Sequence, residues 1–389
     1  MELSDEQRAI RDAVREFAVE EIRPTAAECD RDQRFPEEVW DGLAALDVTS
    51  LTVPEAYGGL DVTSLTVPEA YGGLDVDRLT YSVVNEEVAY GALSVATALS
   101  VHSLATSCIA EFGDDDQKER WLPDMAGGRP VGAFALSEPQ AGSNPAEMTT
   151  EARREGDEYV INGKKQWITN GERSGVVVLF AKTDREDPRS VTQFVVPKDA
   201  DGLEVGKKED KLGLRASDTT SLLFDDVRIP VENRLTEEGK GLSAAFHILT
   251  GGRIGIASQA VGLAQSALDE AVAYARDREQ FGKPIADIQT VRHKLADMKT
   301  QLEAARLLTR DAAQRDDRGE DVELAASMAK YFASEAAVDV TNEAVQIHGG
   351  YGYTTDFDVE RLYRDSKITT IYEGTSEIQK KVIARNVLE

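Results

Sequence analysis

The chain has 389 residues, 41% of them hydrophobic, which is enough for two or three domains with a sizeable core and rules out global disorder. Its formal net charge of −27, from 71 acidic against 44 basic residues, repels nucleic acid and anionic membranes and argues against both as partners. The acidic excess is spread along the chain rather than gathered in a tail, the distribution expected of a salt-adapted surface in which high ionic strength screens self-repulsion; an ordinary acidic cytosolic protein is the alternative reading.

From the N-terminus, Ser4 to Gln7 matches a capping box, and Ile10, Val14, Phe17 and Ala18 follow at helical spacing. No basic stretch followed by an apolar one opens the chain, and no run is read as reaching membrane-spanning length. Residues 46–59 recur identically as 60–73. Two copies containing Pro and Gly-Gly are too few for a solenoid. One copy is expected to fill the structural slot and the other to loop out, since doubling a surface loop costs only roughly 0.6 kcal/mol. A second helical region spans about 79–112, and Gly127-Gly128 and Pro130 break it.

The next hundred residues read as strands. Val176 to Phe180, Phe194 to Val196, Ser221 to Phe224 and Val227 to Pro230 are β-branched or apolar runs bounded by turn residues. Asn162-Gly163, between Tyr159-Val160-Ile161 and Lys164-Lys165-Gln166-Trp167, predicts a type I′ hairpin. Helical periodicity then returns over Ala257 to Tyr274, Ile288 to Ala313 and Leu324 to Ile347, whose short connections predict an antiparallel bundle. The fold expected is α+β, in three parts: an N-terminal helical domain (1–126), a middle β-barrel or sandwich (127–236) and a C-terminal four-helix bundle (237–389).

Cys29 and Cys108 are far apart and lack metal-ligand spacing, so a reducing, cytoplasmic setting without disulfides is expected. The four histidines form no i,i+4 or Cys-paired cluster, so no metal site is predicted.

Five patches can carry chemistry. Phe134 to Asn144 includes a Gly-flanked Ser143 and offers backbone N–H groups and hydroxyls to a flat heterocycle or a phosphate; a plain turn explains it equally. In Lys165-Gln166-Trp167-Ile168-Thr169, strand alternation puts Trp167 and Thr169 on one face, suited to stacking on a planar ring, although a core Trp with a surface Thr gives the same pattern. Arg278, in Arg278 to Pro284, could bind a pyrophosphate or complement a helix C-terminus. The glycine cluster of Gln346 to Tyr353 exceeds what a helix C-cap requires. Finally Glu373 stands between Tyr372 and Gly374, where apolar shielding can lift a carboxylate toward roughly 6–7 and make it a base toward carbon. Neither a Walker loop nor a dinucleotide fingerprint is present.

Together these patches, with Glu209 to Arg215 and Gly252 to Ala260, resemble the acyl-CoA dehydrogenase family over nearly the whole chain, closest to its short-chain, butyryl-CoA branch. The resemblance implies FAD held between the β domain and the bundle, in a dimer or in a homotetramer built as a dimer of dimers. By that resemblance Phe134, Leu136, Ser137, Trp167 and Thr169 border the isoalloxazine ring, and Arg278, Phe281, Gln289, Gln346 and Gly350 hold the pyrophosphate and adenosine, some across a subunit boundary. Thr375 and Glu377 border the cofactor, Ser143 and Arg253 contact CoA, and Gln259 and Thr369 floor the acyl pocket next to Tyr372 and Gly374. By the resemblance Glu373 matches the family base in the position usual for short- and medium-chain members; the position on the helix containing Gly252, where some relatives carry theirs, holds no carboxylate.

The implied reaction is α,β-desaturation of a short-chain acyl-CoA, straight or branched, with electrons passed to an electron-transferring flavoprotein. An acyl-CoA oxidase-like enzyme using oxygen and a flavin-free scaffold are the rival readings. Asn144, Glu147 and Thr250 depart from the residues usual in the family near CoA.

Overall fold

The computed structural model describes residues 3–52, 57 and 77–389. The loop-out expected of one duplicated copy lies outside the described residues. Part of the first copy is packed: Leu46 and Asp47 are exposed, but Val48, Thr49, Ser50, Leu51 and Thr52 are buried, with Thr49 Oγ1 donating to Ala126 O at 2.9 Å and Thr52 Oγ1 lying 2.6 Å from Thr106 Oγ1.

The N-terminal part begins with α1 (Asp5–Phe17), opened by both halves of the Ser4–Gln7 capping box. A π-helical turn, Ala18–Ile22, leads into α2 (Arg23–Asp32), and α3 (Glu37–Ala45) follows. The helical region expected at 79–112 is two helices, α4 (Arg78–Gly91) and α5 (Leu93–Phe112), because Ala92 is extended (φ −158°). By length and composition α5 could cross a membrane, contrary to the sequence reading; here 94% of its apolar window is buried inside the protein, as in a core helix. Helix α6 (Asp115–Ala126) carries its own capping box from Asp114.

Seven strands form one sheet: β1 (Gly132–Ala135), β2 (Glu151–Glu155), β3 (Glu158–Thr169), β4 (Val176–Lys182), β5 (Val191–Pro197), β6 (Leu203–Lys208) and β7 (Thr219–Pro230). Their order is β1-β4-β2-β3-β7-β6, with β5 antiparallel to β4. Strand β4 is buried on both faces, so its period of two divides it between two cores: Val176, Val178 and Phe180 face α5 and α6, while Val177, Leu179 and Ala181 face the other side.

The hairpin predicted at Asn162-Gly163 does not form. β3 runs straight through it, and the turn falls at Gly156-Asp157, where Glu155 pairs with Glu158. Asn162 instead opposes a bulge in β7, trading hydrogen bonds of 2.9 Å each way with Asp226. Gly163 is required by crowding: a Cβ there would sit 2.5 Å from Thr150 Oγ1.

The C-terminal part is helical. The 37-residue α7 (Gly241–Asp277) starts well before its most periodic stretch. A two-stranded ribbon, β8 (Glu279–Gln280) and β9 (Lys283–Pro284), then turns at Phe281-Gly282, both with positive φ, and so supplies the I′-type hairpin geometry. Helices α8 (Gln289–Asp317), α9 (Glu323–His348), α10 (Val359–Thr369) and α11 (Ser376–Leu388) complete this part. One continuous apolar core joins the N-terminal helices to α7, α8, α9 and α10. Helix α5 touches both other parts of the molecule: Asn170, just after β3, donates to Ala98 O at 2.9 Å, and the neighbouring Thr97 lies 3.5 Å from Tyr372 Oη.

Candidate active site

Glu373 sits in the turn between α10 and α11, in a left-handed conformation (φ 54°) that is costly for a residue with a Cβ, and Gly374 follows at φ 89°. The turn is held from two sides. Lys330 Nζ, on α9, donates to Gly374 O at 2.7 Å; Gln379 Nε2, on α11, donates to Glu373 O at 3.2 Å and to Gly374 O at 3.0 Å. The strained turn therefore aims the side chain at α7. A Cβ on Gly252 would meet Glu373 Oε2 at 3.1 Å and Leu104 Cδ2 at 3.5 Å, so the carboxylate rests against the glycine of α7.

Glu373 Oε2 is buried and has no hydrogen-bond partner. Loss of water pushes its pKa up to about 7, and the positive charges of Lys330 and Arg253 restrain the rise. Burial lowers Lys330 to about 8 and also lowers Arg253. Arg253, on α7, reaches Ser327 on α9 at 3.3 Å.

Beside this corner Tyr372 Oη donates to Gln259 Oε1 at 3.3 Å, and Gln259 Nε2 donates to Asn85 Oδ1 and Ala96 O at 3.0 Å each. Glu373, Arg253, Gly374, Tyr372 and Gln259 are thus gathered by α7, α9 and the α10–α11 turn. Thr369 is fully buried four residues before Glu373, with its hydroxyl donating to Ser366 O at 2.7 Å. A small cavity of ≈ 30 Å³ adjoins Gly252, lined among others by Tyr81, Leu104 and Ile248.

In the β domain, Trp167 sits in a bulge where Gln166 and Trp167 together oppose Ser221. Its φ is 58° and it is 55% exposed, so simple alternation with Thr169 fails there and the bulge turns the indole outward. Thr169 is half-buried and pairs with Thr219. Phe134 is half-buried on β1, its ring 4.8 Å from that of Phe180.

The residues after Phe134 are braced by a buried ion pair. Lys165 Nζ donates to Glu138 Oε1 at 2.8 Å and to Leu136 O at 3.1 Å, and Gln166 N donates to Ser137 O at 3.0 Å. Thr149 and Thr150 also donate to Glu138, from backbone N–H groups at 2.7 and 3.0 Å. Ser143 is exposed, and the two departures Asn144 and Glu147 bond each other at 2.8 Å.

At the end of α9 a cleft of ≈ 470 Å³ is lined by residues including Tyr274, Arg278, His348, Gly349, Gly350 and Tyr351. The Arg278 guanidinium lies 5.6 Å from the Tyr351 ring centre. Phe281, Gln289 and Gln346 are exposed outside this cleft, Phe281 at 92% on the ribbon tip. Thr375 caps α11 by accepting from Ile378 N at 3.3 Å, and Glu377 is exposed.

These residues fit a dinucleotide cofactor. At Gly349 and Gly350 no atom lies within 4 Å of an added Cβ, leaving open backbone beside a cationic fork suited to a pyrophosphate, and the buried His348 Nε2 in the cleft wall has no partner.

The sequence reading missed Lys330, Gln379 and the Lys165–Glu138 pair. Lys330 carried a signal: Ala326, Ala333, Ser334 and Ala337 share its helical face, and all of them are buried.

The fold and this corner define a helix–sheet–helix protein with a strained, desolvated carboxylate set against α7. Profiles of the acyl-CoA dehydrogenase N-terminal, middle and C-terminal domains match residues 4–66 and 60–129, 133–227 and 239–388, respectively. The overlap of the two N-terminal pieces falls in the duplicated unit. The rat (Rattus norvegicus) mitochondrial short-chain specific acyl-CoA dehydrogenase is 45% identical over 100% of this chain and 91% of its own length. The structure of butyryl-CoA dehydrogenase from Megasphaera elsdenii matches with a TM-score of 0.93 and 40% identity, covering 100% of both chains. A chain from a structure of the electron transferring flavoprotein of Acidaminococcus fermentans matches with a TM-score of 0.94 and 39% identity, over 100% of this chain and 99% of that one. The chain belongs to the acyl-CoA dehydrogenase family.

Proposed function

We propose that this oxidoreductase desaturates a short-chain acyl-CoA, straight or branched, to the trans-2-enoyl-CoA, with Glu373 as the base. The observation that carries this reading is the buried, unpartnered Glu373 Oε2, lifted to about 7 and aimed at Gly252. A carboxylate so poised can take the α-proton of a thioester near neutral pH. The Glu373 N–H is the donor that the resemblance implies for the thioester carbonyl as negative charge develops there. Tyr372, Gln259 and Asn85, hydrogen-bonded in series, support a short acyl pocket closed by polar side chains.

FAD is the cofactor in this reading, and when bound it supplies the acceptor for the β-hydrogen, which leaves as hydride. Arg278, Gly350, Phe281, Gln289 and Gln346 would hold its pyrophosphate and adenosine. Phe134, Leu136, Ser137, Trp167 and Thr169 would border its ring, with Thr375 and Glu377 nearby. Ser143 and Arg253 would meet CoA, and Thr369 would join Gln259 at the pocket floor. An electron-transferring flavoprotein is the proposed electron acceptor, supported by the similarity to a chain from a structure of one. The exposed Phe281 and Tyr353 support an assembly in which a further copy covers them, proposed as a homotetramer. The free, buried Cys29 and Cys108 support a reducing, cytoplasmic setting.

Glu373→Gln tests the reading. The variant should retain yellow flavin yet lose anaerobic bleaching by butyryl-CoA by about 10²–10⁴-fold. Undiminished bleaching would remove Glu373 from the role, and peroxide release matching substrate turnover would favour the oxidase alternative.

A further inference from the structure

Lys330 is fully buried in the N-terminal third of α9, and it donates to the Gly374 carbonyl rather than to a carboxylate. A buried ammonium is costly unless its charge and protons are used. The groups facing it are Glu373 from the α10–α11 turn, Glu335 on its own helix, Arg253 from α7 and Glu377 from α11. Those facing Glu373 are Lys330, Arg253, Tyr81 from α4 and its neighbour Tyr372. Lys330 is therefore the cation that both touches the base's backbone turn and opposes the base's charge.

Resting on the reading of Glu373 as the base, we propose that Lys330 is a positioning residue: its ammonium pins the left-handed Glu373–Gly374 turn through the Gly374 carbonyl, and its charge governs how readily the Glu373 carboxylate ionises. The two actions separate chemically. A neutral amide can still donate to Gly374 O, whereas a thioether can do neither.

The test uses the FAD-loaded enzyme and anaerobic bleaching by butyryl-CoA as a function of pH. Lys330→Met should move the half-maximal point of the rate profile alkaline by about one unit, a roughly tenfold loss on its acidic limb, because an opposite charge nearby holds a carboxylate's pKa down by about 1–3 units. It should also lower the high-pH plateau, since the turn loses a clamp. Lys330→Gln should show the same alkaline shift with a smaller plateau loss, and Lys330→Arg should restore the wild-type profile. Infrared difference spectra of each protein against its own Glu373→Gln counterpart should show the protonated carboxyl band persisting to higher pH in both neutral variants, independently of turnover.

A wild-type profile and wild-type infrared titration in either folded neutral variant overturns the inference. So does failure of both neutral variants to fold while Lys330→Arg folds, which would make the residue purely structural. If Glu373→Gln itself bleaches normally, the base assignment falls instead. If that variant is inactive and the Lys330 variants titrate like wild type, only the present inference falls.

Discussion

Two fully buried lysines each act on a carboxylate in this protein, and the two carboxylates end at opposite extremes. In the β domain Lys165 donates directly to Glu138, which also accepts from Gln140 and from the backbone of Thr149 and Thr150. Burial alone would raise the Glu138 pKa, but Lys165's charge and these donors outweigh it and hold the carboxyl well below the usual range. In the bundle Lys330 donates to a backbone carbonyl, Glu373 Oε2 receives nothing, and burial wins. Nearly the same ingredients give a permanent strut in one place and a proton acceptor in the other. Where the lysine's proton goes decides the outcome: a directly bonded carboxylate is locked as an anion, while one opposed only by charge stays close to neutrality and can exchange a proton.

The comparison is most severely strained by breaking the strut. Lys165→Met should cost about 3–5 kcal/mol in chemical denaturation, because it leaves Glu138 charged and buried. Replacing both partners with apolar residues should recover most of that loss. A single variant as stable as wild type would show that the pair is not a buried ion pair in solution. FAD retention measured alongside would show whether the Leu136–Ser137 segment depends on the strut.

The second prediction concerns pH and has the opposite sign for the two carboxylates. Glu373's folded pKa, about 7, lies above its unfolded value near 4.5, so the folded state holds the extra proton. Its relative contribution is therefore fully favourable below the unfolded value and is lost as pH rises through about 7. Glu373→Gln should then be more stable than wild type at pH 8, by roughly 3 kcal/mol at most, with the gap closing toward pH 4–5. Glu138, lowered on folding, should contribute above its unfolded value and fail as pH falls below it. Thermal unfolding of wild type and Glu373→Gln across this range checks the sign, and a gap independent of pH would contradict it.

The smallest effect is expected at Gly252→Ala. Its Cβ would stand 3.1 Å from Glu373 Oε2, close enough to make the carboxylate give by a few tenths of an ångström without unfolding α7. Stability should change by about 1 kcal/mol or less, with a severalfold loss of bleaching rate. An unchanged rate would mean that the carboxylate does not rest against α7 during turnover.

Much of this arrangement was legible locally. The Ser4–Gln7 cap, the β-branched run of β4 and the Tyr372-Glu373-Gly374 triplet are neighbours along the chain, so their physics is written in short windows. The Asn162-Gly163 hairpin was misread because the turn preference of that pair is real but lost to a 12-residue strand whose partner β7 absorbs the irregularity in a bulge. Lys165 is 27 residues from Glu138, and Lys330 is 44 from Gly374, so nothing local ties either lysine to its acceptor.

The sequence by itself determined the helix–sheet–helix order and which acidic residue is flanked for proton abstraction, since periodicity and turn chemistry act over a few residues. Only the tertiary structure decided that this carboxylate is dry, pressed toward a glycine of α7 and opposed by a lysine that bonds elsewhere. Desolvation and charge opposition depend on which distant segments exclude water together, and that is fixed when the helices pack.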